Sequence, residues 1–182
     1  MSKLVFALFL SLAVCHPSTH WTAGASQSAS SPEGAASYFK RLAGTWQGTL
    51  EYADYKDDKR VRLPTTLEVR PAGDGKTAEF LFTYDDFGKT VKDQDVHRID
   101  QQTGKYKIDN DEYEVGGIDQ FGKVGKLVLT GRGRENNEAV DVRETITLAG
   151  EVLTILRETR TPLRFRHEYV LRRAAAVGGE AK

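Results

Sequence analysis

The sequence predicts an all-β protein: a single antiparallel up-and-down β-barrel of eight to ten strands preceded by one short helix. Three observations predict it. From Trp46 onward nearly every apolar run alternates with polar residues at a period of two, the signature of a half-buried strand. Clusters of turn-forming residues separate these runs at intervals of mostly 10 to 17 residues, as expected for consecutive hairpins. A Gly-Thr-Trp at 44–46 joins the helix to the first strand, where Gly44 lets the chain turn and Trp46 can plug one end of a barrel.

Residues 1–25 read as a signal peptide. Lys3 is the lone charge before an apolar run from Leu4 to Val14, too short to span a bilayer and of the length of a signal-peptide core. Ala23-Gly24-Ala25 offers the small residues of a cleavage site. A second reading is a lipoprotein signal, in which Leu12-Ala13-Val14 leads to Cys15 and a lipid anchor there. Either route places the protein in the periplasm or outside the cell. Residues 26–37 read as a flexible linker, small and polar from Ser26 to Ser31.

Ser31-Pro32-Glu33 combines an N-cap residue with proline at the first helical position, so a helix is expected at roughly 32 to 43. Phe39 and Leu42 share one of its faces, and Gly44 suits the residue just past its end. The barrel domain is expected over 38–173, with strands near 45–55, 60–70, 77–85, 89–99, 105–109, 111–116, 124–134, 138–149, 151–161 and 164–173. Trp46, Leu50 and Tyr52 share one face of the first. Val61, Leu63, Thr65, Leu67 and Val69 alternate with charged and polar residues in the second. Later strands repeat the pattern, with Val140, Val142, Ile146 and Leu148 on one face and Phe165, Tyr169 and Leu171 on another. Pro71 to Gly75, Asp86-Phe87-Gly88, Thr103-Gly104, Gly116-Gly117, Asn136-Asn137 and Ala149-Gly150 supply the turns. The apolar faces must meet, and sequential hairpins without crossovers do this most simply by closing into a barrel, which also removes exposed edges. An antiparallel sandwich is the competing arrangement. Residues 174–182 read as a disordered tail.

Charge excludes several partners. The chain has 26 basic and 26 acidic residues, and loss of Lys3 with the leader leaves 25 against 26. That balance gives no electrostatic reason to bind nucleic acid or an anionic membrane. No second apolar stretch is long enough to cross a membrane once the leader is removed. Cys15 is the only cysteine, so no internal disulfide is available.

At Gly44-Thr45-Trp46 the chain resembles the calycin superfamily, which includes lipocalins and the nitrobindin-like barrels, and Trp46-Gln47-Gly48 looks like the nitrobindin-type start. The resemblance implies that Trp46 packs under an arginine of the last strand, here Arg172 or Arg173, with Arg172 assigned to the closure beside Gly44 and Trp46. It also implies a lumen that holds a small apolar or amphipathic ligand. Nitrobindin-like barrels bind haem through a histidine of their last strands, and His167 is the histidine here that matches.

Candidate ligand-binding residues are Glu144, His167, Tyr52, Tyr84, Tyr169 and Arg157. His167 alternates in phase with Phe165, Tyr169 and Leu171 and should point inward. Its competing role is a core histidine hydrogen-bonded to a carboxylate or tyrosine. Glu144 interrupts an inward apolar row, and a buried carboxylate must find a partner or neutralise. Arg157, Arg160, Arg164 and His167 are its candidates, either to hold a ligand's polar head or to form a structural ion pair. Tyr52, Tyr84 and Phe82 are cavity or plain core. Asp93, Asp95 and His97 share one face of a strand, a metal-like set, yet Lys92, Gln94 and Arg98 are as hydrophilic, so a solvated rim is expected. Glycine-rich phosphate loops, Cys-x-x-Cys pairs, Gly-x-Ser-x-Gly elbows and His-Glu-x-x-His helices are absent, so no catalytic residue and no metal site is assigned. The resulting expectation is a lipocalin-like binding protein rather than an enzyme, without a resident cofactor. A haem-binding barrel using His167 and a filled-barrel envelope or inhibitor module are the alternatives.

Overall fold

The computed structural model describes residues 38–100, 102–119, 124–135, 138–159 and 164–175. The expected leader with Cys15, the expected linker and the start of the expected helix lie outside these residues, as do 176–182 of the expected tail. Ten antiparallel strands follow a helical segment at 38–42. They are β1 (Gly44–Ala53), β2 (Arg60–Pro71), β3 (Thr77–Asp86), β4 (Lys89–Asp100), β5 (Lys105–Ile108), β6 (Asp111–Asp119), β7 (Val124–Glu135), β8 (Glu138–Ala149), β9 (Val152–Thr159) and β10 (Arg164–Arg173). Each pairs with its sequence neighbour, and β1 pairs with β10, so the sheet closes into an up-and-down barrel with no crossover. The sandwich alternative is thereby removed. No helix among the described residues is long and apolar enough to cross a membrane.

The end of the barrel near Trp46 is packed solid. Trp46, Leu67, Phe80, Tyr106, Leu129, Leu153 and Leu171 are fully enclosed, with Phe39 and Leu42 of the helix laid against them. Trp46 Nε1 donates to the carbonyl of Leu42 at 2.8 Å. The arginine over its indole is Arg173, with the guanidinium carbon 4.1 Å from the ring centre, and not Arg172. The register explains the correction. Trp46 lies opposite Arg173, so both side chains share the inner face, whereas Arg172 lies opposite Gln47 and is exposed. Arg173 also donates to the carbonyls of Ala43 and Arg41, both at 2.7 Å. Three carbonyls at the helix end, Arg41, Leu42 and Ala43, are therefore capped by the two barrel-closing side chains, which satisfies acceptors a helix terminus leaves open. Gly44 takes φ +113°, a conformation that side-chain-bearing residues rarely adopt.

Two departures from regular pairing shape the other end. The register of β4 with β5 begins at His97, and that of β6 with β7 begins at Tyr113 opposite Gly131. The β5–β6 hairpin therefore stops short, and among the described residues 89–95 of β4 and 132–135 of β7 have no strand partner on that side. The wall is notched there. In β10 a bulge between Phe165 and His167 breaks the alternation expected of that strand. His167 keeps the inward phase, opposite Tyr52, while Phe165 is stacked under the exposed guanidinium of Arg60 rather than sharing the lumen with it.

Candidate functional site

The half of the lumen away from Trp46 is hollow. A cavity of about 410 Å³ lies behind the notch, and a smaller one of about 210 Å³ adjoins it; Arg157 and His167 line both. The larger volume falls within the usual range for small-molecule pockets.

The place of Arg157 is set by β7. Gly131 and Gly133 occupy inward positions, in phase with the buried Leu127 and Leu129. A Cβ on Gly133 would come within 2.8 Å of Val142 and 3.0 Å of the Arg157 guanidinium, so glycine there is what lets Arg157 lie across the lumen. Arg157 donates to Glu144 Oε2 at 3.2 Å and sits 3.5 Å from the Tyr113 hydroxyl. Burial pushes the Glu144 carboxyl up from its ordinary value, and Arg157 opposes that push. Burial alone would weaken the guanidinium charge of Arg157, but Glu144 and Tyr113 more than offset it and hold its pKa above the ordinary value. The pair is the ion pair between neighbouring strands that the interrupted apolar row of β8 implied.

The carboxylates outnumber that single cation. Asp93 and Asp109 are exposed at the mouth, Asp95 and Asp111 are half-buried, and Glu144 is buried at the back. Asp109 is committed to the turn, accepting the Val96 N–H at 2.8 Å. Asp95 has no hydrogen-bond or ion-pair partner among the described residues. Burial, reinforced by Asp93, Asp109 and Glu144, pushes its pKa up to about 7. The rim expected for Asp93, Asp95 and His97 is thus found only at Asp93. His97 is buried, stacked on Phe80 with centroids 3.8 Å apart, its Nδ1 2.9 Å from the Tyr106 hydroxyl. Burial pulls its pKa down to about 3, so it is neutral at physiological pH.

His167 also lines the lumen. Its ring packs edge-on against Tyr169, with centroids 5.3 Å apart, and its nitrogens have no hydrogen-bond partner among the described residues. Burial, helped by Arg157 and Arg166, pulls it down to about 3, so the ring offers one N–H donor and one lone pair. Tyr169 and Phe82 stand 4.8 Å apart on the wall of the larger cavity. Tyr84 points into the barrel in phase with Phe82, its hydroxyl 2.9 Å from that of Tyr169 across β1 and β2, and burial pushes it up to about 12. Tyr52 lines the smaller cavity. There Arg166 of the bulge stacks over Tyr55, donates to the Ala53 carbonyl and reaches Glu135 Oε1 at 3.4 Å. Glu135 in turn accepts the Thr159 hydroxyl at 3.2 Å.

The structure thus brings Glu144, Arg157, His167 and Tyr169 together on one chamber, puts Tyr52 on its annex, and sets Tyr84 inside the barrel against Tyr169. Sequence reasoning set Asp95 on a solvated rim with Asp93 and His97, and assigned no role to Tyr113, Glu135 or Gly133. The inward parity of Gly131 and Gly133 was the signal available for the close approach of Tyr113 and Arg157 to β7.

A haem does not fit this donor set. His167 is a competent axial ligand in its neutral form, but the face it presents is shared by Asp95, Asp111 and Glu144. A porphyrin needs apolar walls on both faces and carries two carboxylates of the same sign as those already there. Among the described residues no three His, Cys, Asp or Glu side chains converge as a metal cage requires.

Compared with known protein families and with curated proteins, the chain matches no family model and no curated protein.

Proposed function

We propose that this barrel is a small-molecule binding protein whose ligand occupies the half of the lumen away from Trp46. One observation carries the reading: a chamber of about 410 Å³ whose polar wall groups, Asp95 and His167 foremost, have no partner within the described fold. Buried polar groups are normally satisfied, so those left over at a cavity wall mark where a ligand or water makes the remaining bonds. The apolar wall of Phe82, Ile155 and Tyr169 supplies affinity at roughly 25 cal/mol per Å² of ligand surface buried, before the costs of association. The leader from Leu4 to Val14 supports export of this binder. A solid barrel acting only through its loops is disfavoured by the same chamber.

Native mass spectrometry of the purified full chain tests the reading. A small-molecule adduct is expected, and Ile155→Trp, which fills the chamber, should abolish it. A bare polypeptide mass together with no rise in Tm across a panel of small amphiphiles contradicts it.

A further inference from the structure

We propose that the larger chamber selects a small organic ammonium ion, a primary or secondary amine carrying an apolar or aromatic group. This rests on the lumen-binding reading above and names the chemistry of the occupant.

The charge is unbalanced in one direction. Among the described residues Arg157 is the chamber's only cationic side chain, and it is engaged with Glu144 at 3.2 Å. That pair cancels, leaving the aspartates at the mouth and wall in excess. Asp95 and Asp111 each combine partial burial with the absence of any hydrogen-bond or ion-pair partner among the described residues, and Asp95 is the one set opposite the fully enclosed Phe80. A carboxylate surrounded by carboxylates is stabilised by a cation more than by any neutral group.

A second observation, independent of the acids, points the same way. His167 lines the same chamber with both ring nitrogens unbonded among the described residues, and burial, helped by Arg157 and Arg166, keeps it from taking a proton. A neutral imidazole offers a lone pair, which accepts an N–H from an alkylammonium but gives nothing to a quaternary ion. Phe82 and Tyr169 then supply ring faces, which attract a cation and cover its apolar substituent. No three metal-ligating side chains converge among the described residues, so an organic cation is favoured over a metal ion.

A proton should leave as the ammonium enters. Facing Asp95 are Asp93 on its own strand, Asp109 on the β5–β6 turn, Glu144 on β8 and Arg157 on β9. Tyr84, Tyr169, His97 and His167 are neutral around pH 7 and do not titrate there. With Asp95 pushed up to about 7, a neighbouring cation lowers it, so binding at pH 7 releases a fraction of a proton and weakens as the pH falls through 7.

Isothermal titration of the full chain at pH 7 with benzylammonium, benzyl alcohol and benzoate tests this. Benzylammonium is expected to bind at least tenfold more tightly than either analogue. Its heat should vary with the ionisation enthalpy of the buffer, as proton release requires. Asp95→Asn should weaken it at least tenfold and abolish the buffer dependence, while Glu79→Gln, exposed on β3 towards the Trp46 end, should leave both unchanged. Equal binding of the alcohol or of benzoate overturns the cation inference and leaves the lumen occupied. Binding that survives Asp95→Asn unchanged overturns it as well. Binding by none of the three also overturns it, and the mass-spectrometric result then decides the container reading separately. Should Asp95→Asn fail to fold, buffer-independent heats on the unaltered chain are the overturning result.

Discussion

At the scale of single residues, the barrel is closed by an arginine whose three roles converge. Arg173 covers the Trp46 indole, caps two helix-end carbonyls and lies 2.9 Å from Glu151. Arg172, one residue earlier, is exposed. Arg173→Ala is therefore expected to cost about 2–3 kcal/mol, the sum of a desolvated cation–π contact and two charge-assisted bonds. Arg172→Ala should stay within about 0.5 kcal/mol of the parent. Chemical denaturation of the two variants checks this, and equal losses would contradict it. The sequence narrowed the closing arginine to two neighbours, and only the β1–β10 register separated them. Asp95 and His97 were harder to read, because the hydrophilic residues between them hide which face is inward. That face is decided by the β3–β4 register, which sets Asp93, Asp95 and His97 opposite the inward Phe82, Phe80 and Ala78, a property of pairing rather than of the residues themselves.

At the scale of elements, strands and turns were legible almost to their ends, since alternation and turn chemistry are local signals, except that Gly116-Gly117, expected as a turn, lies inside β6 at a register shift. The β3–β4 turn shows the limit of that agreement. Phe87 and Gly88 both take positive φ, 52° and 88°, the conformation of a two-residue hairpin that favours Asn-Gly. Phe87 is 85% exposed, so its ring gains little to offset a left-handed backbone. Phe87→Asn is expected to raise stability by about 1 kcal/mol and Tm by a few degrees, measured by thermal unfolding; a loss would show that the ring contributes something the exposed turn conceals. The β10 bulge was not legible. Nothing in Arg164 to Tyr169 announces the extra residue, yet it decides that Phe165 leaves the lumen and Arg166 reaches Tyr55 and Glu135.

At the scale of the whole molecule, closure was readable from ten hairpin-linked amphipathic runs, but hollowness was not. Inward residues fill a barrel or fail to according to their summed volume, and here the short β5–β6 hairpin leaves the half away from Trp46 open. The buried charges this creates set the response to pH. His97 and His167 are held near 3 in the fold against an ordinary 6.5, so unfolding takes up protons between those values and stability falls as the pH drops from 6.5 towards 3. Asp95 acts oppositely. Raised to about 7 against an ordinary 3.8, it weakens the fold as the pH rises through that interval. Asp95→Asn is expected to stabilise the protein at pH 8 by on the order of 3 kcal/mol, with the gain shrinking as the pH approaches 4. Urea unfolding across this range checks both signs. The most direct test of the half-hollow barrel is a ¹⁵N NMR titration with benzylammonium. Shifts are expected to cluster on 93–97 of β4, the β5–β6 turn, and the stretches of β8, β9 and β10 around Glu144, Arg157 and His167, with Trp46 and its neighbours unmoved. Shifts confined to the outer faces, or centred on the Trp46 end, would contradict the account.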